Sequence, residues 1–109
     1  MKIRFDEMEE QVLPEFKGGM GALKTRMAAD GLTRFMKAKL EPGSSIGLHE
    51  HTDSCEVLYV LSGVGTAILD GVEETLTAGE AHYCPKGHAH TLINRGTEDL
   101  IFFAVVPQQ

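Results

Sequence analysis

Asp70-Gly71 stands between the strand-like runs Gly65–Leu69 and Val72–Leu76. A two-residue type I′ hairpin demands this pair, because both central positions need positive φ. The same punctuation recurs along the chain. Thr33 to Leu40 alternates, with Met36, Ala38 and Leu40 on one face and Lys37 and Lys39 on the other, until Pro42-Gly43 ends the run. Gly18-Gly19, Ala78-Gly79-Glu80 and Pro85-Lys86-Gly87 mark further turns. Ala22 to Ala28 alternates more weakly. Leu100 to Val106 is apolar without alternation, so it is expected to be covered on both faces, by the N-terminal segment or by a partner subunit. Short β-like runs between turn signals predict an all-β sandwich or barrel. The only helical candidate, Phe5 to Leu13, has too weak a pattern to assign.

At 109 residues the chain is the size of one domain. A domain this small hides only roughly 60–65% of its unfolded surface, so dimerisation would help it. The net charge of -6 argues against nucleic acid and anionic membranes, which reward a basic patch. Beyond Leu40 the only fixed cations are Lys86 and Arg95. Glu7, Glu9 and Glu10 form an acidic opening that reads as solvated surface. Met1 to Glu10 is charged and lacks the apolar core of a signal peptide, and no apolar run is long enough for a bilayer. Two cysteines, Cys55 and Cys84, then suggest small buried thiols in a reducing cytoplasm.

The chemistry concentrates in "GSSIGLHEHTDSCEVLYVLSG", Gly43 to Gly63. Alternate side chains of a strand share a side, so His49 and His51 face together while Glu50 points away. Thr52-Asp53-Ser54 is a turn-prone break, after which Glu56 opens a new strand near the two imidazoles. "PKGHAHTLIN" offers His88 and His90 as a third histidine, and a strand there puts His90, Leu92 and Asn94 on one face. Three neutral imidazoles and a carboxylate suit one divalent transition metal ion: manganese, iron, nickel, zinc or copper. An ion that prefers six ligands would keep two positions for a chelating substrate.

These residues resemble the cupin superfamily. Its first motif (Gly, five residues, His-x-His, three or four residues, Glu, six residues, Gly) is filled by Gly43, His49, His51, Glu56 and Gly63. Its second (Gly, five residues, Pro-x-Gly, two residues, His, three residues, Asn) is filled by Gly79, Pro85, Gly87, His90 and Asn94. The resemblance implies a double-stranded β-helix, or jelly-roll, barrel occupying residues 1–109 as a single domain, with its motif core at 43–94. It implies His49, His51, Glu56 and His90 as metal ligands, and Asn94 and the glycines as structural. It also implies a wide choice of reactions, from oxygenation and decarboxylation to isomerisation and lyase chemistry, among which a fold does not choose.

Around that centre, Arg34 shares the face of Met36 and is a candidate clamp for a substrate carboxylate or phosphate. Tyr83 and His88 are further candidates for the pocket, and Glu56 for a proton relay. Lone His82 reads as a surface or satisfied core histidine. The expectation is a cytoplasmic homodimer and a metal-dependent enzyme on a small polar ligand such as a hydroxy acid, a diketone or a sugar. A binding or sensor module, or a barrel stapled by its metal, is the alternative.

Overall fold

The structure is a computed structural model that describes residues 1–109. Ten strands follow in order: β1 (Gln11–Pro14), β2 (Ala22–Ala29), β3 (Thr33–Leu40), β4 (Ser45–Glu50), β5 (Glu56–Ser62), β6 (Val64–Leu69), β7 (Val72–Thr77), β8 (Ala81–Cys84), β9 (Ala89–Ile93) and β10 (Leu100–Pro107). They form a six-stranded sheet, β1-β2-β3-β10-β5-β8, and a four-stranded sheet, β4-β9-β6-β7. Every pairing is antiparallel. The two sheets face each other as a jelly roll, the arrangement the strand punctuation and the motifs predict.

Alternation drives each strand into the barrel by one face. Met36, Ala38 and Leu40 of β3 are buried while Lys37 and Lys39 between them are not. Leu58 and Val60 of β5, Leu92 of β9, and Phe102 and Ala104 of β10 complete the same core. Full burial of an aliphatic or aromatic side chain of this kind is worth about 1.5–3 kcal/mol each, which commits the strands to this register. Between β6 and β7, Asp70 (φ 49°) and Gly71 (φ 82°) both adopt positive φ, as the hairpin requires.

Strand β10 proves to alternate as well, with Leu100, Phe102, Ala104 and Val106 inward. Its outward residues are also apolar because the N-terminal segment lies over them. Phe5 packs edge-on against Phe35 and Phe103, with ring centroids 6.3 and 5.9 Å apart. Asp6 approaches Lys37 at 3.8 Å and Glu10 approaches Lys39 at 3.9 Å, pairs too exposed to add much stability. The stretch from Phe5 to Leu13 is therefore a 3-10 turn at Phe5–Glu7 followed by the start of β1.

Candidate metal centre

The centre is built from both sheets. Strand β4 supplies His49, and His51 follows just past its end. Glu56 opens β5 and His90 lies on β9. Between Ile46 and His49 the register of β4 against β9 slips: Ile46 faces Leu92, yet His49 faces His90. This bulge inserts one residue at Gly47-Leu48, so Ile46 stays in the core, Leu48 turns to solvent and His49 turns back inward.

One ligand atom from each of His49, His51, Glu56 and His90 falls within 4.8 Å of all the others. Glu56 Oε1 stands 3.1 Å from His51 Nε2 and 2.9 Å from His90 Nε2, and those two nitrogens are 3.1 Å apart. The opposite nitrogen of each ring is already held. The Gly47 carbonyl is 2.8 Å from His49 Nδ1, and the Ser54 hydroxyl is 2.9 Å from His51 Nδ1. His82 Nε2 lies 3.0 Å from His90 Nδ1. With the Nδ1 protons engaged there, the Nε2 atoms present lone pairs to one another and to a carboxylate. Lone pairs converging this closely need a proton or a cation between them, and a divalent transition metal fits that donor set.

Burial pushes the Glu56 carboxyl upward, but where His51 and His90 carry protons on Nε2 in place of a metal, their hydrogen bonds and charge outweigh it and hold the group at about 2. Burial likewise depresses the His49 imidazole, against the hydrogen bond to Gly47 that favours its charged form. An ionised Glu56 and a neutral His49 are the forms in which those two groups ligate, while His51 and His90 must give up their Nε2 protons for a metal to enter.

A cavity of about 200 Å³ opens over the cluster. His49, His51 and Glu56 lie in its wall together with Met27, Met36, Ile46 and Val106, and Lys17 and Arg34 bring cations to it. Arg34 is where its strand parity puts it, exposed at the cavity and in line with Met36. Tyr83 and His88 are not in the lining. In β8, Cys84 pairs with Glu56 and points inward with His82, so Tyr83 between them faces out and is 52% exposed. The His88 side chain is turned away to Asp70 at the hairpin tip. Its carbonyl instead accepts from the His51 N–H at 3.0 Å, and Gly87 N–H donates to the His51 carbonyl at 2.6 Å. That loop therefore fixes His51 through backbone rather than lining the pocket. Glu50 is exposed at the rim and outside the cluster. Asn94 is fully buried and donates to the carbonyls of Leu40 and Glu98, each at 2.8 Å, a structural role.

Lys17 escapes a reading of the sequence, and His82 is the satisfied core histidine expected of it, with a link to the site that the sequence does not mark. Lys17 sits in a short 3-10 turn, Phe16–Gly18, with no pattern to mark it. His82 is 2% exposed and hydrogen-bonded on both nitrogens.

Two facing antiparallel sheets with an inward cluster of three histidines and one glutamate define a jelly-roll barrel with a candidate metal centre. Residues 36–106 match the Cupin domain family, and the chain belongs to it. It is 32% identical to a Thermotoga maritima protein named "Oxalate-binding protein", over 97% of this chain and 93% of that one. Among solved structures, a predicted oxalate decarboxylase of the same organism superposes with a TM-score of 0.94 at 30% identity, covering all of both chains. The cupin domain of Cnp3 from Schizosaccharomyces pombe, at 10% identity, shares the fold with a TM-score of 0.83 over all of this chain and 74% of that one. No helix is long and apolar enough to cross a membrane.

Proposed function

We propose that the protein holds a divalent transition metal on His49, His51, Glu56 and His90 and uses it to capture a small dicarboxylate of the oxalate class. One observation carries this reading: a single cavity of about 200 Å³ joins the lone-pair cluster to Lys17 and Arg34, neither of which is paired with a carboxylate. When bound, the metal supplies Lewis-acid attraction for the oxygens of a chelating acid. The guanidinium of Arg34 offers a planar fork that matches a carboxylate, and Lys17 adds a mobile point charge. Met27, Met36, Ile46 and Val106 wall the cavity with apolar surface and thin out competing water. Ligand sites for drug-sized molecules run to roughly 300–1,000 Å³, so this one suits a smaller acid. The name of the Thermotoga relative supports the same choice of ligand.

Turnover is a second reading, supported by the description of the structural relative as a predicted oxalate decarboxylase. Glu56, committed to the metal with His49, His51 and His90, has no proton to donate in such a reaction. Its part is that of a ligand. The two free cysteines support a reducing compartment such as the cytoplasm.

Elemental analysis of protein purified without chelator, followed by calorimetric titration with oxalate, tests both readings. We expect one metal per chain and oxalate binding that vanishes on chelation. His51→Ala should carry no metal. Arg34→Ala should keep its metal and bind oxalate about tenfold more weakly, the loss of one charge-assisted contact. Oxalate that binds equally with and without metal, or not at all to loaded protein, overturns the proposal. Release of carbon dioxide and formate would identify turnover.

A further inference from the structure

His90 is the one histidine of the centre whose outer nitrogen is held by another histidine. The His82 ring lies nearly parallel to that of His90, at 11° and 5.2 Å between centroids. Its Nε2 is 3.0 Å from His90 Nδ1, and its Nδ1 is 2.7 Å from a Glu74 carboxylate oxygen. Glu74 reaches in from β7, and its side chain is 53% exposed while that of His82 is 1% exposed.

We propose that His82, oriented by Glu74, is a positioning residue that fixes which nitrogen of His90 faces the metal site; this rests on the metal-centre reading above. The direction of the chain follows from donors and acceptors. An ionised carboxylate only accepts, so His82 must carry its proton on Nδ1 to bond Glu74. A neutral imidazole has one N–H, so His82 Nε2 is then a bare acceptor. It accepts the hydrogen bond donated by His90 Nδ1–H, and His90 Nε2 is left with its lone pair facing His51 and Glu56. A competing arrangement stands ready: His90 with its proton on Nε2 would donate to Glu56 Oε1, only 2.9 Å away, and would block ligation. The relay from Glu74 through His82 decides against that state, and outer partners of this type are worth about 10–100-fold in metal affinity.

The tautomer is read without metal by ¹⁵N-edited NMR of the imidazoles in chelator-treated protein. We expect His90 to be protonated on Nδ1 in the wild type and to shift toward Nε2–H in His82→Phe and in Glu74→Leu. Co²⁺ then serves as a probe of the loaded site. His82→Phe, which keeps a flat ring in the same volume, should bind it about 10–100-fold more weakly with an altered visible spectrum. His82→Gln, whose amide oxygen can accept from His90, should recover much of the loss. A wild-type His90 carrying its proton on Nε2 overturns the proposal, as does a folded His82→Phe that binds Co²⁺ within twofold of wild type with the same spectrum. Should His82→Phe fail to fold, Glu74→Leu decides from the half-exposed end: an unchanged His90 tautomer and Co²⁺ affinity overturn it. Wild-type protein with the expected tautomer that takes up no metal ion overturns instead the metal-centre reading on which this one rests.

Discussion

His51 joins the two hydrogen-bonded groups of the centre, since its Nε2 faces both Glu56 and His90. Acid acts on this cluster with a definite sign. His49 titrates below its ordinary 6.5 in the fold, so its contribution is complete above 6.5 and is lost as pH falls past that value. Glu56 drops from an ordinary 4.5 to about 2, so its contribution is complete above 4.5 and is lost as pH falls toward 2. Metal-free protein melted at steps from about pH 8 to pH 3 should therefore lose thermal stability in two stages, the first beginning near 6.5. A melting temperature that holds flat or rises on acidification would contradict the assignment. The four centre residues are legible in the sequence because their spacings are short and repeat a known motif. His82 has no such spacing partner. The signal it did carry was parity: it lies two residues before Cys84, which the sheet pairs with Glu56. The same parity, applied to β8, sends Tyr83 outward.

Among the strands, β4 sets the phase of the histidines through its bulge. Gly47, at the bulge, lies against the backbone of Lys17 and Gly19, and a Cβ there would overlap the Lys17 carbonyl oxygen. Gly47→Ala should cost about 1–3 kcal/mol through that overlap. It should also weaken metal binding, since the Gly47 carbonyl holds His49 Nδ1 and the displaced turn carries Lys17. Denaturant unfolding measures the first effect and metal titration the second; an Ala variant as stable as wild type would refute the close approach. The legible strands are those whose two faces differ. Strand β3 reads off residue by residue because lysines alternate with core residues, and the β6–β7 hairpin because Asp-Gly marks it. Strand β10 hides its alternation beneath Phe5, and β1 is a four-residue edge that buries nothing completely.

Taken whole, the barrel has one outer surface that water does not suit. Val57, Tyr59, Leu61 and Tyr83, all 40–52% exposed, share the outside of the six-stranded sheet beside the Phe5–Phe103 contact. Association through this face would bury it, and a homodimer at micromolar concentration by light scattering is the expected state. Tyr59→Glu should shift the population to monomer without unfolding it, as the position is 45% exposed. A wild-type monomer would remove the argument. Beneath the same sheet, Cys55 and Cys84 are buried and unpaired, and burial lifts the Cys84 thiol to about 11. A folded chain should thus be nearly inert to maleimides. A cysteine introduced at Thr52, beside the cavity, would then take up a fluorophore selectively and turn the arrival of an acid into an optical signal.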